Sequence, residues 1–170
     1  TLSLHDALPI YSVNKENYFG YLGMGDVYFS RGHYEDALPY YDRAIEIDNR
    51  IAVAYNMRGL CYQKLKMYDR VLDDYYKAIE LDPRYADAYF NLAFELDRKR
   101  RYKEAIENYE VYIKLEPLDD LAYNNIGYTY FKMKKYKKAL KYYDKAIEIN
   151  PNNKNAISNR KQVEKYFKKQ

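Results

Sequence analysis

The sequence predicts an all-α fold, an α–α superhelix of stacked helix pairs, on three observations. Equivalent residues recur at a constant interval of 34, as in the column formed by Ala44, Ala78, Tyr112 and Ala146. Within each interval, large apolar residues are spaced three and four apart in two successive segments, the pattern of two amphipathic helices. A proline ends three of the four intervals, and the residue before a proline avoids the helical conformation. Because one helix pair cannot bury its apolar face alone, neighbouring pairs are expected to stack.

Four complete units fit this interval, and each contains the same two helices. They span residues 18–51, 52–85, 86–119 and 120–153. Small residues share one column of the first helix and one of the second, so the two helices are expected to approach closely there: Gly25, Gly59, Ala93 and Gly127, then Ala37, Val71, Ala105 and Ala139. Fifteen of the 24 tyrosines also fall on four repeated columns, which predicts that they belong to the core.

The two ends of the chain depart from the repeat. Residues 154–170 predict one further helix that caps the last unit, with Ile157 and Val163 on its buried side. Residues 11–17 align with the last turn of a preceding unit and are interpreted as the stub of such a repeat. Residues 1–10, TLSLHDALPI, match one reading frame of a common sequencing adapter. We interpret them as a translated artefact, so the native N-terminus and any upstream domain are expected to be missing.

Composition and motifs argue against catalysis, cofactors and metal sites. The sequence contains no phosphate-binding loop and no dinucleotide fingerprint. The single cysteine, Cys61, is expected to be a small buried residue, and His33 lies in a turn with no second ligand beside it. No apolar run approaches the roughly 20 residues that span a bilayer. A cytoplasmic location is favoured, although the compartment stays open.

The interval and its columns resemble the tetratricopeptide repeat over residues 18–153. The departures are Asn49 for a closing proline, Arg58 and Leu96 for a usual leucine and tyrosine, and Tyr112 for a usual alanine. The resemblance implies a right-handed superhelix whose concave groove, lined by the first helices, binds a peptide segment of a partner protein. Carried over column by column, the expected peptide-binding residues are Asn56, Met57, Leu60, Phe90, Asn91, Phe94, Asn124, Asn125, Tyr128 and Phe131.

These residues suggest an asparagine row beside aromatic pockets. A carboxamide offers a donor and an acceptor to the main chain of an extended peptide, and aromatic rings offer pockets for its side chains. The alternative is that some of these aromatic residues pack against the next unit. Some relatives hold a chaperone's C-terminal carboxylate in a clamp of lysine, asparagine and arginine. No such clamp is expected here, because its columns hold Leu22, Asp26, Met57, Asp87 and Asn91 in one repeat frame and Asn56, Leu60, Asn91, Leu121 and Asn125 in the next.

The charge is unevenly distributed along the chain. Residues 132–170 carry a net charge of +10, whereas residues 1–131 carry −6. An acidic protein partner toward the C-terminal end is one interpretation, and a basic array that contacts nucleic acid is a less favoured one. The main alternative to a non-catalytic scaffold is a regulatory or substrate-docking fragment of a larger enzyme whose catalytic domain is missing.

Overall fold

The computed structural model describes residues 17–167, and these residues form nine helices and no strand. The predicted all-α class is confirmed for this part of the chain. The expectations for residues 1–10, and for nearly all of the stub at 11–17, lie outside the described residues. The helices are α1 (Tyr18–Ser30), α2 (Tyr34–Ile47), α3 (Ala52–Lys64), α4 (Tyr68–Leu81), α5 (Ala86–Arg98), α6 (Tyr102–Leu115), α7 (Asp120–Lys132), α8 (Tyr136–Ile149) and α9 (Lys154–Phe167).

The chain divides into two compact units, residues 1–88 and residues 89–170. In the first unit α1 packs against α2, α2 against α3, and α3 against α4. In the second unit α6 packs against α7 and α7 against α8, and the last helix, α9, contacts both α7 and α8. Val163 of α9 is fully buried in the core of the second unit, whereas Ile157, also expected on the buried side, is half-buried.

A buried tyrosine of the second helix lies against the small residue of the first helix. A Cβ atom added to Gly25 would lie 2.6 Å from the Tyr41 ring, and one added to Gly127 would lie 2.7 Å from the Tyr143 ring. Glycine is therefore needed for this close approach, as expected. The four tyrosines of this column are buried, whereas most tyrosines of the other three columns are only half-buried, and for these the predicted core role is only partly correct. A half-buried tyrosine keeps its hydroxyl near water.

Most of the second helices end in a side-chain turn. Asp48, Asp82 and Asn150 each accept a hydrogen bond from the backbone N–H two residues later, at 3.0, 2.9 and 3.0 Å. Asp48 forms this turn although Asn49, not proline, follows it. An Asp or Asn side chain that bonds the backbone two residues on competes with the helix. The aspartate and asparagine column, which was not among the predicted helix-ending signals, therefore ends these helices together with proline.

The turn inside each pair contains one residue in the left-handed backbone region. These residues are Gly32, Lys66, Arg100 and Lys134, with φ of 80°, 61°, 61° and 59°. Only the first is glycine. The other three carry a Cβ atom in a conformation that costs an L-residue roughly 1–2 kcal/mol.

Candidate functional site

In the first unit, the predicted binding residues mainly pack inside the protein. Asn56 is only 2% exposed, and its Nδ2 donates to the hydroxyl of Tyr85 at 3.1 Å. Met57 packs on the buried cluster that contains Tyr41 and Cys61. Leu60 is half-buried. The amide of Asn56 therefore joins α3 to the segment that precedes α5.

The buried thiol of Cys61 belongs to the same cluster. Burial raises the pKa of Cys61 to about 12, so the thiol is protonated and unreactive at neutral pH. This agrees with the small buried residue that the sequence predicted. Among residues 17–167 no group of three or more potential metal-ligating side chains comes together.

In the second unit, helix α5 presents one predicted residue outward and packs another. The Phe90 ring lies against Tyr109 and Tyr112, with ring centroids 5.6 and 5.0 Å apart, so Phe90 belongs to the packed interior. Phe94, one turn later, is 43% exposed. Asn91 is half-buried. The alternative stated above, in which an aromatic residue packs against its neighbours, therefore applies to Phe90 but not to Phe94.

Helix α7 supplies two asparagines with different environments. Asn124 is 8% exposed, and its Oδ1 accepts a hydrogen bond from Asn159 of α9 at 3.0 Å. Asn125 is half-buried and donates a hydrogen bond to the hydroxyl of the buried Tyr109. Burial raises the pKa of Tyr109, so this hydroxyl stays neutral. The Asn124 amide is thus occupied between helices, whereas the Asn125 amide is held by one bond at the surface.

A polar contact between α5 and α7 sets their alignment. Asp97 accepts a hydrogen bond from the Thr129 hydroxyl at 2.8 Å and also pairs with the ammonium of Lys132. The Lys132 Nζ lies 4.6 Å from the centre of the Tyr128 ring. This contact was not predicted, although Asp97 and Lys132 are opposite charges separated by about one repeat. It neutralises the cation of Lys132, which lies over the exposed ring of Tyr128.

These two helices expose three large apolar side chains, and α7 also carries the half-buried amide of Asn125. Phe94 lies one helical turn before Asp97 on α5. On α7, Asn125 lies one turn before Thr129, and Tyr128 directly precedes it. Tyr128 is 44% exposed and Leu121, at the start of α7, is 53% exposed. We call Phe94, Leu121, Asn125 and Tyr128 the α5–α7 surface.

Phe131 lies at the border of this surface, in an aromatic cluster. Its ring is 5.8 Å from Tyr136, 5.7 Å from Tyr166 and 6.3 Å from Tyr128. Phe131 is partly buried against the core of the second unit. The Phe131 ring therefore packs against Tyr128, and little of it is left for contact with a ligand. Within residues 17–167, every helix is too short or too polar to cross a membrane.

Known protein structures of the same fold were found by comparison. The chain is 28% identical to the protein MamA, with a TM-score of 0.76, over 86% of this chain and 79% of that one. It is 25% identical to PilF of Pseudomonas aeruginosa, with a TM-score of 0.81, over 89% and 69%. It is also 25% identical to the first TPR of Spaghetti (RPAP3) bound to the HSP90 peptide SRMEEVD, with a TM-score of 0.66, over 71% and 95%. No curated protein sequence matches the chain.

Models of repeat families identify the repeats directly. Two models described as tetratricopeptide repeat match residues 52–85 and 121–153, and residues 75–107. A third, described as TPR repeat, matches residues 25–66. These matches and the structural comparisons confirm the predicted helix-pair solenoid class. The chain belongs to the tetratricopeptide repeat family.

Proposed function

We propose that this protein is a non-catalytic interaction protein and that its α5–α7 surface binds an extended peptide segment of a partner protein. The observation that carries the proposal is the Asn125 amide, which the Tyr109 hydroxyl holds among exposed apolar side chains. A carboxamide has two donor hydrogens and an acceptor oxygen. One bond to Tyr109 leaves a donor and the acceptor for a peptide main chain.

The apolar side chains around this amide support binding of peptide side chains. Phe94, Leu121 and Tyr128 are each more than 40% exposed. Large apolar side chains grouped at a surface mark interaction sites more often than chance, and aromatic anchors contribute much of the binding energy. The peptide is therefore expected to carry apolar side chains on either side of the residue whose main chain meets Asn125.

The charge of the surface favours an internal segment over a chain terminus. The cation of Lys132 is paired with Asp97, so it is neutralised before any ligand arrives. A peptide terminal carboxylate would gain little from it. One similar structure holds the acidic peptide SRMEEVD. We extend to this chain the binding of a peptide, but not the recognition of an acidic terminus.

The buried asparagines and the packed aromatic residues are proposed to position the surface. Asn56 and Asn124 hold helices in place through the bonds to Tyr85 and Asn159. Phe90 and Phe131 support the exposed rings from below. Asn91 lies on the same column as Asn125 and is proposed to act beside it.

The test uses a peptide selected from a random library on this protein. Replacing Asn125 by Ala, or Phe94 by Ala, should weaken binding by about 1–3 kcal/mol, because each change removes a partner from a desolvated group or pocket. Fluorescence anisotropy measures the affinity, and circular dichroism checks that helicity is kept. The matched control is Asn155→Ala on the exposed side of α9, which should leave binding unchanged. Unchanged binding in both surface variants would contradict the proposal.

A further inference from the structure

The hydroxyl group of Tyr143 has no hydrogen-bond partner among the described residues. The side chain is fully buried, and its Oη atom is enclosed by the protein. Burial raises the pKa of Tyr143, so the group is a neutral O–H. A buried donor without an acceptor costs free energy, and native proteins rarely leave one. Such a group calls for an explanation.

Two of the three equivalent tyrosines show how this hydroxyl can be satisfied. In α2, Tyr41 donates to the carboxylate of Asp26, which lies on the first helix of the same pair, at 2.8 Å. In α6, the Tyr109 hydroxyl is bonded to Asn125, on the first helix of the following pair. The repeat therefore offers this hydroxyl one partner within its own pair and one from the next helix.

Around Tyr143, the residues equivalent to Asp26 and Asn125 do not bond to the hydroxyl. The position of Asp26 is occupied by Tyr128, whose aromatic ring does not take its place as acceptor. The position of Asn125 is occupied by Asn159 of α9, which donates its amide to Asn124 at 3.0 Å instead. The hydroxyl is thus left without an acceptor, and Tyr128, a residue of the α5–α7 surface, lies close enough to raise its pKa further.

The side chain of Tyr128 is partly exposed and can change its rotamer. Tyr128 is 44% exposed, and its ring contacts Phe131 and the ammonium of Lys132. Rotation of an exposed side chain between rotamers takes place in picoseconds to nanoseconds. A ligand that inserts at Tyr128 would therefore reach the Tyr143 hydroxyl.

We propose that Tyr143 donates its hydroxyl hydrogen to a main-chain carbonyl of the bound peptide, at a position that opens when Tyr128 turns aside. The proposal rests on the peptide-binding function above and adds a second polar contact to it. Asn125 and Tyr143 then hold two points of one extended main chain, and the donor that is unsatisfied in the free protein finds its acceptor in the complex.

The experiment compares Tyr143→Phe with Tyr41→Phe, using the library-selected peptide as probe. Both substitutions remove one hydroxyl and keep the buried ring. Tyr143→Phe should leave the melting temperature equal or higher, and should weaken peptide binding about three- to tenfold, as expected for one neutral hydrogen bond. Tyr41→Phe removes a hydroxyl that is bonded to Asp26, so it should lower the melting temperature and leave the affinity unchanged.

The outcomes separate this proposal from the one on which it rests. If Asn125→Ala weakens binding but Tyr143→Phe does not, the role of Tyr143 is overturned and the peptide surface stands. If neither changes the affinity, both proposals are overturned. If Tyr143→Phe lowers the melting temperature as much as Tyr41→Phe, the hydroxyl has an acceptor in the free protein, and the role of Tyr143 is again overturned.

Discussion

The two units place different residues at one repeated core position, the seventh of the first helix. In the second unit this position holds Leu92 in α5 and Ile126 in α7, and both are buried. In α3 of the first unit it holds Arg58, whose guanidinium donates to Asp74 at 2.6 and 2.9 Å and to Asp42 at 2.7 Å. A core position of this repeat therefore accepts a cation when carboxylates of the second helices face it.

At the ninth position of the first helix the polar residue that satisfies a buried group lies in the first unit, and the second unit has an aromatic residue instead. Asp26 in the first unit accepts a hydrogen bond from Tyr41, whereas Tyr128 at the equivalent position of the second unit leaves Tyr143 without one among the described residues. In the first unit the Tyr41 hydroxyl is thus satisfied internally, whereas the second unit presents aromatic rings and the unsatisfied donor of Tyr143. The same helical framework serves stability in one place and is proposed to serve binding in the other.

Replacing Arg58 by Leu would test whether the cation is needed at the core position of the first unit. Asp74 has a side chain only 7% exposed, so losing Arg58 leaves a buried carboxylate without its cation. Breaking such a pair is expected to cost about 3 kcal/mol of unfolding free energy, measured by urea denaturation at pH 7. Adding Asp74→Tyr would place an apolar residue and a tyrosine at these two positions, as Ile126 and Tyr142 do in the second unit, and should recover most of the loss. A double variant as unstable as the single one would contradict this explanation.

The same variant should show a pH dependence of known sign. Burial raises the pKa of Asp74 above its ordinary value, even against the effect of Arg58, and removing Arg58 should raise it further. A carboxyl whose pKa is higher in the folded protein than in the unfolded chain stabilises the fold at low pH, and this contribution is lost as the pH rises through the folded pKa. The destabilisation by Arg58→Leu should therefore be smaller in acid than at pH 7.

The turns offer a comparison in which the two units should behave alike. Lys66 in the first unit and Lys134 in the second have nearly the same positive φ. Glycine has no Cβ atom to strain there, although it loses more entropy on folding. Lys66→Gly and Lys134→Gly should each increase the unfolding free energy by about 0.5 kcal/mol. Gly32→Ala, the reverse change at the equivalent turn, should lower it, and a gain with alanine would contradict the strain argument.

The sequence predicted most of the fold because its signals are local and repeated. The interval, the glycine column and the buried tyrosines of α2, α4, α6 and α8 all depend on helix periodicity. The aspartate turn at Asp48 was missed because proline, the stronger signal, usually occupies the same place. Arg58 interrupted the apolar column, and its explanation required knowing that Asp42 and Asp74 face it from two other helices.

The candidate site was less predictable, because a column position does not determine which partner a side chain finds. Asn124 and Asn125 are neighbours in sequence, yet one is buried against Asn159 and the other reaches the surface. The pairing of Asp97 with Lys132 depends on the alignment of α5 and α7, which the repeat implies only approximately. Burial and hydrogen bonding therefore had to be read from the structure.

The lysines of the second unit provide the comparison with the smallest expected effect on stability. The first turns of α2, α4 and α6 contain acidic residues, whereas the first turn of α8 contains none and carries Lys137 and Lys138. The positive end of a helix dipole favours acidic side chains, so α8 concentrates positive charge there. Lys134, Lys135 and Lys137 form no ion pair with any described residue. We propose that this charge attracts an acidic segment of the partner.

Exchanging Lys134 and Lys137 for Glu should therefore change the rate of association rather than the strength of the bound contacts. With the library-selected peptide extended by several glutamates, the association rate constant should fall severalfold at low salt, and its dependence on salt should weaken, while the dissociation rate stays nearly constant. Stopped-flow fluorescence at several salt concentrations measures both rates. The matched control exchanges Lys103 and Lys114, exposed lysines of α6, for Glu with the same change of net charge. If the control lowers the association rate constant equally, the net charge of the protein, and not the lysines at α8, sets that rate, and the proposal is contradicted. A local effect of α8 requires that only the exchange beside its first turn lowers the rate.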